Sequence, residues 1–170
     1  NYQYDCDDLL VREPLIEHSG SLPIVATAIY PYIEDESVDL GQALIMLAIH
    51  DIGELVVGDE MTFTKEDDNG LEKREAIKLL PKIYHELYLD MEERRTNTGK
   101  FSKAIDKITP DIIDLMTPAE VTIDRYQKQV GKESPITLLK MHKHQYMIWN
   151  PFMKNLHLEI IKELEILLSE

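Results

Sequence analysis

The chain has 170 residues, 44% of them hydrophobic, and a formal net charge of −14. That length gives room for one domain with a sizeable core, and an acidic surface repels phosphate backbones, which argues against a general nucleic-acid-binding role. A small phosphorylated substrate is not excluded, because a bound cation can make one pocket locally positive inside a negative molecule.

Helical periodicity dominates and alternating, strand-like stretches are scarce, so the pattern reads as all-α. A first helix is predicted from about Ser21 to Ile33, with Ser21 as its cap and Pro23 in its first turn. A second is predicted from about Asp39 to Val57, capped by Asp39. Its centre, Ala43 to Ile49, is apolar on every side and is therefore buried. That run is far shorter than the ~20 apolar residues that a bilayer span needs. Leu71 to Leu80 reads as helix, and Pro81 opens another reaching about Arg95. Thr96-Asn97-Thr98-Gly99 is a predicted break. Lys100 to Ile108 resumes the pattern, Pro110 and Pro118 divide the next stretch into shorter helices, and Tyr126 to Pro135 is the expected exposed connection. A last helix is predicted from about Asn155 to Leu168, with Leu156, Ile160, Leu164 and Leu167 on one face.

The expected organisation is a single compact helical domain over residues 1–170, with a core at about 12–115 and C-terminal helices at 118–170 packed on it. No basic segment leads into an apolar secretory core, and one cysteine, Cys6, cannot form an internal disulfide; the expected location is the cytoplasm. Asn1 in place of Met leads to the expectation of further residues upstream. Apolar helix faces in so small an α domain lead to the expectation of a homodimer.

The second predicted helix runs out of its apolar stretch straight into His50-Asp51, with Glu54 one turn further on. A buried Asp beside a buried His is costly unless something pairs with both. A divalent cation is the strongest such partner, since imidazole and carboxylate are its natural ligands. Taken alone, the dipeptide is explained as well by a helix end where both side chains meet water or a salt bridge. Three further features favour the cation. Glu17-His18-Ser19 offers a second imidazole upstream. Asp106 lies among apolar Phe101, Ala104, Ile105 and Ile108, where a carboxylate again needs a partner. Gly58-Asp59 adds another carboxylate after Glu54.

The order His18…His50-Asp51…Asp106 resembles the pattern of the HD superfamily of metal-dependent phosphohydrolases. The string from His50 to Asp59, HDIGELVVGD, is similar to the corresponding segment of the 5′-deoxynucleotidase-like branch. The likeness continues through Glu72 to Ala76, Leu87 to Glu93 and Lys100 to Lys107, and covers roughly Arg12 to Leu115. It implies an HD-domain fold in which His18, His50, Asp51 and Asp106 hold one divalent metal ion (Mn, Co, Zn, Mg, Ni or Fe). It further implies that Glu54, on the same helical face as His50, is the catalytic residue that serves the attacking water or the leaving oxygen. Asp59 would approach the sugar of a nucleotide, and Arg12 and Lys103 would hold its phosphate. The implied activity is release of phosphate from nucleoside 5′-monophosphates.

Members of that branch with deoxynucleotide activity carry an Arg-Trp-type segment upstream of the first ligand histidine, and Asn1 to Val11 offers no match. Gly20 and Pro23 follow His18 closely, so His18 is expected just before a helix rather than within it. Two other classes compete. An HD-fold di-iron oxygenase needs two extra histidines between Asp51 and Asp106, where only His85 stands. A non-catalytic HD-like binding or signalling domain would be favoured by loss of Glu54 or of a ligand, and none is lost. His85 reads as an ordinary helix residue, His142 and His144 point to different faces, His157 is isolated, and Trp149 to Phe152 reads as an aromatic packing corner.

Overall fold

The structure is a computed structural model that describes residues 3–6, 9–12, 15–58, 70–123 and 135–168. Its fold is all-α, with one short antiparallel hairpin among the described residues. Strand β1 (Gln3–Cys6) pairs with β2 (Leu9–Arg12), placing Gln3 opposite Arg12 and Cys6 opposite Leu9. Strands of four residues are too short for alternation to stand out in a sequence. By packing, the chain falls into two compact units, the first running up to Ile105 from the start of the helices and the second holding the β1–β2 hairpin and the chain from Asp106 on.

In the first unit, α1 (Leu15–Ile29) starts earlier than predicted and carries His18 inside its first turn. Pro23 is accommodated within the helix, although it has no N–H to donate to the preceding turn. Ser21, expected as the cap, instead donates its hydroxyl to the His18 carbonyl at 2.8 Å. A 3-10 turn (Tyr30–Tyr32) leads to α2 (Leu40–Ile49), where the Asp39 carboxylate accepts the Gln42 amide at 2.9 Å, as expected of a cap. Helices α1 and α2 pack together and bury Leu22, Ala26, Ala43, Met46 and Leu47.

The predicted helix to Val57 is interrupted. After Ile49 the chain tightens into a turn, with Ile52 N–H donating to Ile49 at 3.3 Å and Glu54 N–H to Asp51 at 2.9 Å. Helix α3 (Glu54–Val57) then ends on Gly58, whose φ of +81° suits glycine. By length and composition alone Leu40–Val57 is apolar enough to cross a membrane. The turn divides it, and Ala43, Met46 and Leu47 are spent on the protein core.

Helix α4 (Leu71–Leu79) follows, then a 3-10 turn (Lys82–Tyr84) and α5 (His85–Glu93). Tyr88 of α5 packs with Ala76 and Leu80, and Ile49 and Ile52 lie against that cluster. Helix α6 (Asn97–Met116) begins inside the predicted break. The Asp90 carboxylate accepts the Thr96 amide at 2.8 Å and its hydroxyl at 2.6 Å, and Thr96 Oγ1 accepts the Gly99 amide at 3.0 Å. The Thr-Asn-Thr-Gly signal thus marks a helix start; a Cβ at Gly99 would lie 2.5 Å from Asp90 Oδ1. Pro110 also sits inside α6 and does not end it.

In the second unit, residues 119–123 are helical, and α7 (Pro135–Met147) and α8 (Pro151–Leu167) pack on each other. Helix α8 starts earlier than predicted because Asn150 caps it, accepting the Phe152 amide at 2.9 Å and the Met153 amide at 3.2 Å. It buries Met153, Ile160, Ile161 and Leu164, while Leu156 and Leu167 are half-buried. The expected connection after Tyr126 lies outside the described residues up to Pro135.

Candidate metal centre

Three elements deliver the candidate ligands. His18 comes from the first turn of α1, His50 closes α2, and Asp106 stands on α6, which runs unbroken across the division between the units. His18, His50 and Asp106 are buried, and each offers a donor atom within 4.8 Å of the others'. The two imidazole rings lie 5.6 Å apart and are tilted by 45°. Asp51 Oδ2 lies 2.9 Å from His50 Nε2 and 3.5 Å from His18 Nε2. All four predicted ligands therefore converge, and His18 does so from within a helix, not from before one.

The chemistry of this donor set fits a cation. His50 Nδ1 lies 2.9 Å from the Leu47 carbonyl, which can only accept, so Nδ1 carries the proton. That leaves Nε2 facing Asp51 Oδ2, where a second ring proton or a cation shared by both atoms pairs them. Two electron-pair donors at 2.9 Å repel unless positive charge lies between them. A divalent ion with imidazole and carboxylate ligands supplies that charge, and the Leu47 carbonyl fixes the tautomer it needs. Lys107 Nζ lies 3.1 Å from Asp106 Oδ2.

Glu54 opens α3 directly after the turn and belongs to a second group. The carboxylates of Asp51, Glu54 and Glu72 offer oxygens within 4.8 Å of one another, and each is half-buried. Asp51 thus links the histidine cluster to two further carboxylates. Glu72 carries no separate signal in the sequence beyond the resemblance around it. The nearest clue is Gly53: a Cβ there would lie 2.4 Å from the Glu72 carbonyl oxygen. Only glycine lets the first turn of α4 approach the turn after His50 so closely.

Tyr88 was also missed. Its ring is buried, and burial, with the negative charges of Glu92, Glu72 and Asp51, pushes its phenol above the usual range against the opposing effect of Lys103. The phenol therefore stays protonated beside the carboxylates. Lys103 is mostly buried and donates to Glu92 at 2.7 Å. Arg12 ends β2, opposite Gln3, and Asp59 lies outside the described residues. His85 Nε2 lies 2.9 Å from the Leu80 carbonyl, in keeping with a structural role. His142 is exposed. His157 is not isolated: its ring is 5.8 Å from that of His144.

Fold and centre together define an all-α protein with a buried His/Asp cluster suited to a divalent cation. The HD domain family matches residues 9–132, and the chain belongs to that family. A similar fold among solved structures is that of a "predicted metal-dependent phosphohydrolase" from Magnetospirillum magnetotacticum MS-1. The two share 23% identity at a TM-score of 0.70, over 92% of this chain and 79% of that one. No curated protein matches the chain.

Proposed function

We propose that this protein is a metal-dependent phosphohydrolase that releases phosphate from nucleoside 5′-monophosphates. The observation that carries the reading is the cluster of His18, His50 and Asp106, with Asp51 against both histidines and grouped in turn with Glu54 and Glu72. Membership of the HD domain family and the named relative of similar fold support it. The four residues would hold one divalent ion, which when bound lowers the pKa of water and neutralises phosphoryl oxygen.

Glu54 would take a proton from the attacking water and return it to the ribose 5′-oxygen. The water oxygen forms the new bond to phosphorus as the bond to the 5′-oxygen breaks, giving nucleoside and inorganic phosphate. Lys103 and Arg12 would face the phosphate and Asp59 the sugar, where a ribose 2′-hydroxyl would clash. The family match crosses both compact units, which supports one functional domain. The same reading places the protein in the cytoplasm as a homodimer, and apolar Ile16 and Ile24 exposed on α1 are consistent with self-association.

The test is phosphate release across ribo- and deoxyribonucleoside monophosphates after reconstitution with manganese, cobalt or zinc. Turnover of deoxy forms above ribo forms is expected. Equal turnover removes Asp59 from its role, and no release from any nucleotide overturns the substrate class. Failure to bind any of the three metals overturns the whole reading.

A further inference from the structure

His157 of α8 is fully buried, and among the described residues neither of its ring nitrogens has a hydrogen-bond partner. Two groups act on the ring, both from α7. One is His144, its ring 5.8 Å away and tilted by 40°. The other is Lys143, itself buried and paired with buried Asp111 of α6. The unit's buried carboxylates, Asp111 and Asp114 of α6, are not among the groups that act on the ring. On α8 itself Glu159, Lys162, Glu163 and Glu165 are exposed. A buried imidazole with a lysine ammonium acting on it, and no opposing carboxylate among the described residues, is tolerated only when uncharged.

We infer that the α7–α8 pair is an acid-sensitive joint, closed around an uncharged His157 and opened when that ring takes a proton. In the closed pair, burial first, then His144 and Lys143, lower the His157 pKa from 6.5 to about 4. In an opened pair water reaches the ring and the ordinary value returns. Above the ordinary value both forms carry a neutral ring, and the joint keeps its full stability. Between pH 6.5 and about 4 the open form binds a proton that the closed form excludes, so stability is lost as pH falls. The opening equilibrium then rises about tenfold per pH unit, on the order of 100-fold or more across the window.

Amide hydrogen exchange at about pH 7 and about pH 5, corrected for intrinsic rates, reads this opening in wild type and in His157→Phe. Both carry the same metal centre, so its own acid response cancels in the comparison. Peptides of α7 and α8 should open more at the lower pH by at least ~10-fold in wild type and much less in the variant. Equal pH dependence in the two proteins overturns the inference. Should His157→Phe fail to fold, NMR titration of the wild-type imidazole decides: a ring still neutral at about pH 5.5 is expected. A ring that titrates near its ordinary value while α7 and α8 stay protected overturns the joint.

Discussion

The chain contains two tilted histidine pairs of nearly the same shape: His18–His50 at 5.6 Å and 45°, and His144–His157 at 5.8 Å and 40°. Ring geometry does not separate them; the charge around them does. The first pair meets Asp51 at 2.9 and 3.5 Å and shares its cluster with Asp106. The second pair has Lys143 acting on it, and that lysine is itself paired with buried Asp111. One pair is arranged to hold positive charge, and the other rejects it. A pair of imidazoles is thus a cation site only where carboxylates complete it.

The sharpest way to break the comparison is Asp51→Asn, which keeps the shape of the first pair and removes its negative charge. Metal affinity should fall by more than ~100-fold, beyond the scale on which outer-shell partners act, and turnover should go with it. Isothermal titration with manganese or zinc, beside turnover, reads both; a variant with unchanged affinity makes geometry sufficient after all. On the other side, Lys143→Met strips the second pair of its cation and removes the ion-pair partner of buried Asp111. Chemical denaturation should show a loss of about 3–5 kcal/mol, largely recovered in the double variant Lys143→Met/Asp111→Leu. No recovery in the double variant would show that the stability at Lys143 is not that of an ion pair.

Glu54→Ala should leave metal content and thermal midpoint unchanged while turnover falls ~100-fold, the usual scale for losing a positioned acid or base. Metal and turnover lost together would make Glu54 a ligand. The smallest expected effect is at Gly53→Ala. The added Cβ meets the Glu72 carbonyl oxygen at 2.4 Å, so α4 must shift, at a cost of about 1–3 kcal/mol by thermal or chemical denaturation. An unperturbed midpoint would show that the approach of α4 is not fixed by that glycine.

The candidate ligand residues are legible because a carboxylate or imidazole inside an apolar helix is conspicuous, as His50, Asp51 and Asp106 are. The local breaks were read less well. Pro23 reads as part of a helix start and Pro110 as an interruption, yet α1 begins before the one and α6 continues through the other. The apolar run to Val57 looked like one helix, yet the turn at Ile49–Gly53 divides it, because Gly53 admits the backbone of Glu72. Thr96 to Gly99 reads locally as a gap, although its residues and the more distant Asp90 together start α6. Glu72 and the His144–His157 contact are products of tertiary packing, and no periodicity announces either of them.

The most direct test of the central claim is the number and location of bound metal ions. Elemental analysis after reconstitution and desalting should give about one divalent ion per chain, a count that suits a single centre with four protein ligands. His157→Phe should keep that ion and Asp51→Ala should lose it. Two ions in wild type with one lost in His157→Phe, or full occupancy in Asp51→Ala, would contradict the assignment of the cation to the His18–His50 pair and its carboxylates.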